Sequence, residues 1–466
     1  MHPSSAGPAM VTQSPLTRLR ASILSGEGLR TIRWRSVLHL MSGSAGNAAI
    51  MLLATLLAAR TLEPEQYGVM VLILAIGRVC ERLLRFESWQ PLVRFVAEEE
   101  HVGTPDKIAR LYLFGLLLDV SSAVTASALA IAFGLLFAGL VGLDSDNSWL
   151  IVIYACAIAV NIRGMPSAAL RLGGRFKTLA YIQLFANSLR LVLAAACFLA
   201  DAGVIVFIAV WTAAQILDSL LFLYCGFRAL GKSGIPNPLR SSPRGLRKEF
   251  PGFLGFAFST NLSSMVRTLT HEMDTLLVGA FAGPAMAGLY NLAKRIAKMA
   301  QQIADLIQTV VYPDLSRLWS KRSTPEFRQA VVGLQFLLLV VCLTVFVLIL
   351  VAGQPLIILA FGQGYAGIYP LLLAQIVAVA FTMHSAPSRS ALLAMNKPRA
   401  VLLVSVASSA AFFVAAFLLM PAMGALGANV AHIVGGALAA ILFDVLIWRR
   451  IGKESSKDEP EEGSAE

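Results

Sequence analysis

Charge is scarce in this chain. Only 14% of its 466 residues are Asp, Glu, Lys or Arg and 57% are hydrophobic, which gives a mean hydropathy of +0.72. So few charges cannot cover a water-facing surface, so the chain is read as a membrane protein and a large soluble catalytic domain is excluded. Ligand-type residues are thin as well. The five cysteines (Cys80, Cys156, Cys197, Cys225 and Cys342) show no CxxC or metal spacing and lie in or beside apolar runs, which fits inert thiols. HExxH, GxSxG and Walker A patterns are missing, which removes the common hydrolase and nucleotidase chemistries. Gly362 to Gly367 fits GxGxxG, but it lies between two apolar spans with no strand before it and reads as a turn. The first 35 residues lack the apolar core and small-residue cleavage site of a signal peptide.

Apolar runs are abundant. They fall at about 37–59, 66–85, 109–139, 148–165, 178–200, 203–225, 252–270, 272–294, 328–352, 368–388, 399–420 and 424–448. Twelve spans therefore define an all-α integral membrane protein. The loops test that count. Those at 86–108, 166–177, 226–250, 295–327 and 389–398, with both termini, hold many cations, whereas 139–147, 201–202, 353–367 and 421–423 hold no Lys or Arg. Basic loops mark the cytoplasmic side, so both termini are expected there. This placement absorbs most of the net charge of +11 and excludes nucleic acid as a partner.

The chain also repeats itself. Leu56 to Ile76 aligns without gaps on Leu276 to Ile296, pairing Pro64 with Pro284 and Gly68 with Gly288. Weaker echoes set Trp89 to Arg94 against Val311 to Arg317, and Pro166 to Arg175 against Pro387 to Lys397. Six spans return the chain to the same side, so the halves are expected as two six-helix lobes related by a pseudo-twofold along the membrane normal, with a central cleft. The expected parts are a polar extension (1–35), a first lobe (36–225), a basic linker (226–250), a second lobe (251–448) and a disordered cytoplasmic tail (449–466).

Charges inside apolar spans are costly and point to function or to pairing. Arg78 and Arg190 fall near mid-membrane, and Arg267 falls in the outer part of the seventh span, near His271, Glu272 and Asp274. Converging on a cleft, they would suit a phosphate or pyrophosphate; the alternative is pairing with acids such as Asp119 or Asp218. Arg82 and Arg85 continue the Arg78 face toward the cytoplasm, as a headgroup ladder or as a positive-inside anchor. Asn187 and Asn261 could bond sugar hydroxyls or stitch helices. Asp119, Asp218 and Asp274 are the candidates for Na+ or H+ coupling. No cofactor or metal site is read, and His39, His384 and His432 are scattered without ligand spacing.

At these residues the chain resembles the oligosaccharide flippases of bacterial polysaccharide export, in the MOP superfamily with the MATE exporters and lipid II flippases. The resemblance spans about 35–450. It rests on AARTLEPEQYGVMVLILAI, WQPLVRFVAEEE, ALRLGGRFKTLAYIQ, DTLLVGAFAGPAMAGLYNLAKRI, VVYPDLSRLW, FGQGYAG and GALGANVA. It implies a cationic cavity between two lobes and alternating access for a polyprenyl-pyrophosphate-linked oligosaccharide. The implied partners are membrane lipids and the polymerase and export proteins of surface polysaccharide synthesis, lipopolysaccharide or exopolysaccharide. Rival readings are a MATE-type cation-coupled drug exporter, disfavoured by the arginines, and a glycan polymerase or ligase, disfavoured by short outer loops. A lipid II flippase would need two further helices.

Overall fold

A computed structural model describes residues 46–86, 88–99, 104–321 and 323–458. The polar extension at 1–35 lies outside the described residues. The elements are α1 (Gly46–Thr61), α2 (Pro64–Leu84), α3 (Trp89–Glu99), α4 (Pro105–Leu136), α5 (Leu150–Val160), α6 (Gly164–Leu172), α7 (Phe176–Leu199) and α8 (Val204–Lys232). The second half follows with one unbroken helical run, Phe253–Ser320, then α11 (Thr324–Phe361), α12 (Ile368–Ala394), α13 (Pro398–Met423) and α14 (Ala425–Asp458). No strand occurs among the described residues.

The run Phe253–Ser320 is two helices. Tyr290 Oη donates to Asp274 Oδ2 at 2.9 Å and Lys294 Nζ lies 2.7 Å from Asp274 Oδ1. Residues sixteen and twenty positions apart stand about 24 and 30 Å apart along a straight helix, so the chain must double back between them. It does so at Gly283, whose φ of 82° and ψ of 174° suit only glycine. The arms are α9 (253–282) and α10 (284–320). This corrects the expected spans at 252–270 and 272–294. The charges at 271–274 do not break the helix, because Asp274 is neutralised where it stands, and the turn falls at the one non-helical residue inside the run, Gly283.

Eight stretches besides this hairpin are long and apolar enough to cross a membrane. With α1, α2 and both hairpin arms they make twelve passes among the described residues. Other boundaries shift. The loop at 86–108 contains the amphipathic α3, and α8 runs to Lys232 rather than 225. The fourth pass is interrupted at 161–163, between α5 and α6. The last helix continues to Asp458, where a disordered tail was expected from 449, because Ile451 is buried beside Leu315 and Phe443 and holds the added turns.

Packing differs between the two ends of the bundle. At the charge-poor end one apolar core draws on both halves, with Leu72, Leu143 and Phe207 from the first and Tyr290, Tyr365 and Met420 from the second. At the basic end there are two separate cores. One gathers Leu92, Leu111, Met165 and Phe222 with Phe253, and the other gathers Leu315, Phe327, Leu392 and Phe443. The halves therefore merge on the charge-poor side, while the basic side has two cores, the first of which also takes in Phe253 at the start of α9. The repeat explains the seam: Gly68 and Gly288 occupy equivalent positions and meet, a Cβ on Gly288 falling 3.1 Å from the Gly68 Cα. Equivalent residues touch each other on a twofold axis, as the pseudo-symmetry requires.

Candidate functional site

The face of α2 that carries Tyr67, Met70, Val71, Leu74 and Arg78 follows helical spacing and looks onto α10, which presents Asn291 and Arg295 one turn apart. With Thr55 of α1 and Trp211 of α8 these residues line a small cavity of about 20 Å³ between the halves. Above it, on the charge-poor side, the seam is closed. Tyr365 Oη donates to the Leu62 carbonyl at 2.8 Å, and Arg60 Nη1 donates to the carbonyls of Leu359 and Ala360. The Gly362–Gly367 turn thus serves as part of the seal.

The cavity is cationic. Arg78 Nε lies 2.8 Å from Glu272 Oε2 of α9, an ion pair that spans the two halves. Arg295 donates to the Thr55 hydroxyl, again across the halves. Lys298, an exposed residue one turn beyond Arg295, is within electrostatic range of Arg78, Arg295 and Glu272, and Arg190 is within range of Arg295. Four cations therefore share this region with one carboxylate. The neighbouring Asp274 adds no free charge. It is 0% exposed and accepts from Thr275, Tyr290 Oη and Lys294 Nζ, with His432 Nε2 at 2.9 Å.

The other sequence candidates divide. Arg190 is buried, and its Nη1 donates to Asn187 Oδ1 at 3.0 Å while its guanidinium lies 5.8 Å from the Trp211 ring. Asn187 Nδ2 donates to Asn47 Oδ1 at 2.6 Å, so this pair also stitches α7 to α1. Asn261 donates to the Ala257 carbonyl of its own helix. Arg267 lies on α9, and its side chain falls outside the described residues. Arg85 bonds Glu81 at 2.7 Å while Arg82 is exposed, so the ladder positions have different surroundings.

Two aspartates hold backbone and helices together. Asp119 is buried and accepts from the backbone N–H of Ser88 at 3.1 Å and of Met165 at 2.6 Å, tying the α3 start and the α6 start to α4. Asp218 of α8 pairs with Arg163, at the break between α5 and α6. There Asn161 donates to Glu81 and accepts from Arg163 Nε, so the unwound residues are fixed by side chains. Among the described residues no cluster of three or more His, Cys, Asp or Glu could hold a metal.

The sequence model for polysaccharide biosynthesis proteins matches residues 33–319. The chain belongs to the polysaccharide biosynthesis protein family. This family member is 26% identical over 338 residues to the inner membrane protein YghQ of Escherichia coli K12, a match covering 72% of this chain and 95% of the relative. Its fold is shared with the lipid II flippase MurJ in an inward closed conformation, at TM-score 0.68 and 15% identity over 90% of each chain. It is shared equally with a multidrug resistance MATE transporter of the MOP superfamily in an inward-facing conformation, at TM-score 0.66 and 14% identity, covering 88% of this chain and 96% of the other. The polysaccharide biosynthesis protein is thus a multi-pass membrane protein that shares the fold of these two transporters.

Sequence reasoning missed Arg295 and Lys298 in this polysaccharide biosynthesis protein by ending the eighth span at 294. The signal was present. Pro64 opens α2, so its repeat partner Pro284 opens α10, and the same offset carries Arg78 onto Lys298.

Proposed function

We propose that this protein is a flippase that carries a polyprenyl-pyrophosphate-linked oligosaccharide from the inner to the outer leaflet of a bacterial cytoplasmic membrane by alternating access. The observation that carries this reading is the cationic cavity in which Arg78 and Arg295 line opposite walls, one from each half. A pyrophosphate is doubly charged and hydroxyl-rich sugars follow it, so hydrocarbon is a steep barrier for the headgroup. Guanidinium groups from two halves can grip it bidentately in one state and release it when the halves part. The lipid tail stays in the bilayer. The basic loops put the separated cores on the cytoplasmic side, where such lipids are made, and both termini with them. Arg267, Asn187 and Asn261 are proposed to serve the sugar side of the path, and the polymerase and export proteins receive the product. No catalytic group is assigned.

A cation exporter would need an available carboxylate in the cavity. Glu272 is engaged by Arg78, and Asp274 by Lys294 with His432 beside it, which disfavours that reading.

The test is to delete the gene and measure lipid-linked glycans in each leaflet by mass spectrometry, complementing with wild-type, Arg78→Ala and Arg295→Ala chains. Accumulation in the cytoplasmic leaflet, rescued by wild type and by neither expressed variant, is the expected result. Normal delivery of the glycan lipid to the outer leaflet in the deletion strain overturns the proposal.

A further inference from the structure

The two halves carry the same interhelical pair with different chemistry. In the first half Arg163 bonds Asp218, joining the fourth pass to the sixth. In the second half His384 Nε2 lies 2.9 Å from Asp444 Oδ2, joining the tenth pass (α12) to the twelfth (α14). The correspondence is positional. Pro166 and Pro387 are repeat partners, and Arg163 and His384 each stand three residues before them. Asp218 and Asp444 lie on the last helix of their halves. Repeat-related sites normally share a structural role, and both pairs do clamp the same two passes of their half. Only one of them can change charge. Arginine keeps its proton at any physiological pH, whereas histidine has an ordinary pKa of about 6.5 and titrates.

The surroundings sharpen the contrast. The Asp218 side chain is 7% exposed against 25% for Asp444, and Arg163 is 27% exposed against 35% for His384, so both partners of the second pair are the more accessible. Asp444 Oδ1 accepts from the Ser388 hydroxyl at 2.6 Å and from Gln335 Nε2 at 3.0 Å, which brings α11 into the same cluster. The carboxylate is therefore held whether or not the imidazole carries a charge. From the helices packed there, the groups facing the imidazole are Asp444 (α14) and Gln335 (α11), and Asp444 is the charge that acts on it. His384 is likewise the charge that acts on Asp444.

We infer that His384 and Asp444 form a proton-binding site through which a pH gradient biases the conformation of the second half. With the proton bound, imidazolium and carboxylate cancel, as Arg163 and Asp218 always do. When the proton leaves Nε2 for water, the imidazole is neutral and one uncompensated negative charge stays on Asp444 inside the membrane. The α12–α14 clamp then weakens, while its counterpart in the first half does not. A proton gradient thereby acts on one half alone, which is what moving one half against the other requires. This inference rests on the flippase reading for its use and on the pair's geometry for its existence, and the two are tested separately.

The full-length chain is labelled with carbon-13 histidine, and the His384 resonance is assigned by its loss in His384→Gln. It is expected to titrate within about pH 5 to 8, and to shift its midpoint downward in Asp444→Asn, where the stabilising carboxylate is gone. A resonance that does not titrate, or is indifferent to Asp444→Asn, overturns the site. Proteoliposomes then carry a fluorescent polyprenyl-pyrophosphoryl disaccharide as the probe. Wild type is expected to move it several-fold faster under a pH gradient than without one, and in His384→Arg, which copies the first-half pair, that ratio is expected to fall to one. A His384→Arg chain that keeps the acceleration overturns the coupling. If wild type moves the probe under no condition, the flippase reading and the coupling fall together, and the titration still decides the proton site.

Discussion

A Cβ added to Gly68 would lie 1.8 Å from the carbonyl oxygen of Pro284, so α2 and α10 touch backbone to backbone at the charge-poor seam. A side chain here must push the halves apart at the point where they are sealed. Overpacking of this kind costs about 1–3 kcal/mol, enough to shift a two-state equilibrium roughly tenfold. Gly68→Val is therefore expected to open the seam. A cysteine placed at Leu62, which is buried here, should then react with a membrane-impermeant maleimide from the charge-poor side about tenfold faster than in the Gly68 parent. Equal labelling rates would show that this contact is not the seal.

The cavity cations should differ in what they lose. Arg78 already has a carboxylate partner, so Glu272→Gln frees a guanidinium and is expected to tighten binding of geranyl pyrophosphate several-fold. Arg295→Ala removes a charge-assisted contact of about 1.5–3 kcal/mol, a loss of roughly ten- to hundredfold in affinity. Isothermal titration on purified protein reads both. Weaker binding in Glu272→Gln would place the anion elsewhere.

Asp119 gives a contrasting expectation. Its replacement by Ala strips acceptors from the buried N–H groups of Ser88 and Met165. Each orphaned donor costs about 1–3 kcal/mol, so a sizeable fall in melting temperature is expected. The ratio of transport rates with and without a sodium or proton gradient should stay at the wild-type value. A stable Asp119→Ala chain that has lost gradient dependence would restore it as a coupling residue.

Gly283 makes the hairpin between α9 and α10 with a backbone conformation open only to glycine. Gly283→Val is expected to destabilise the fold by about 1–3 kcal/mol or more, read as loss of monodisperse protein after extraction. Gly255, in helical backbone with open space around its Cβ position, is the control: Gly255→Ala should leave the yield intact.

The sequence by itself determined the solvent, the number of passes and the symmetry. Composition excluded a water-facing surface, cations sorted the loops into two sides, and Pro64/Pro284 with Gly68/Gly288 marked two copies of one unit. Arg78 and Arg190 were legible because an unpaired charge in an apolar run needs a reason. Tertiary structure decided which charges were paired. Asp119 and Asp218 look alike in a string of apolar residues, yet one caps backbone amides and the other meets Arg163 at the break in a different pass. Likewise Glu272 and Asp274 looked like a helix break until the turn at Gly283 brought Lys294 back beside Asp274. Hydropathy is a property of a window along one helix, whereas neutralisation depends on what a neighbouring helix presents at the same depth. That is why the spans could be counted in sequence, and why the cationic cavity and the His384–Asp444 pair emerged only when the helices were packed.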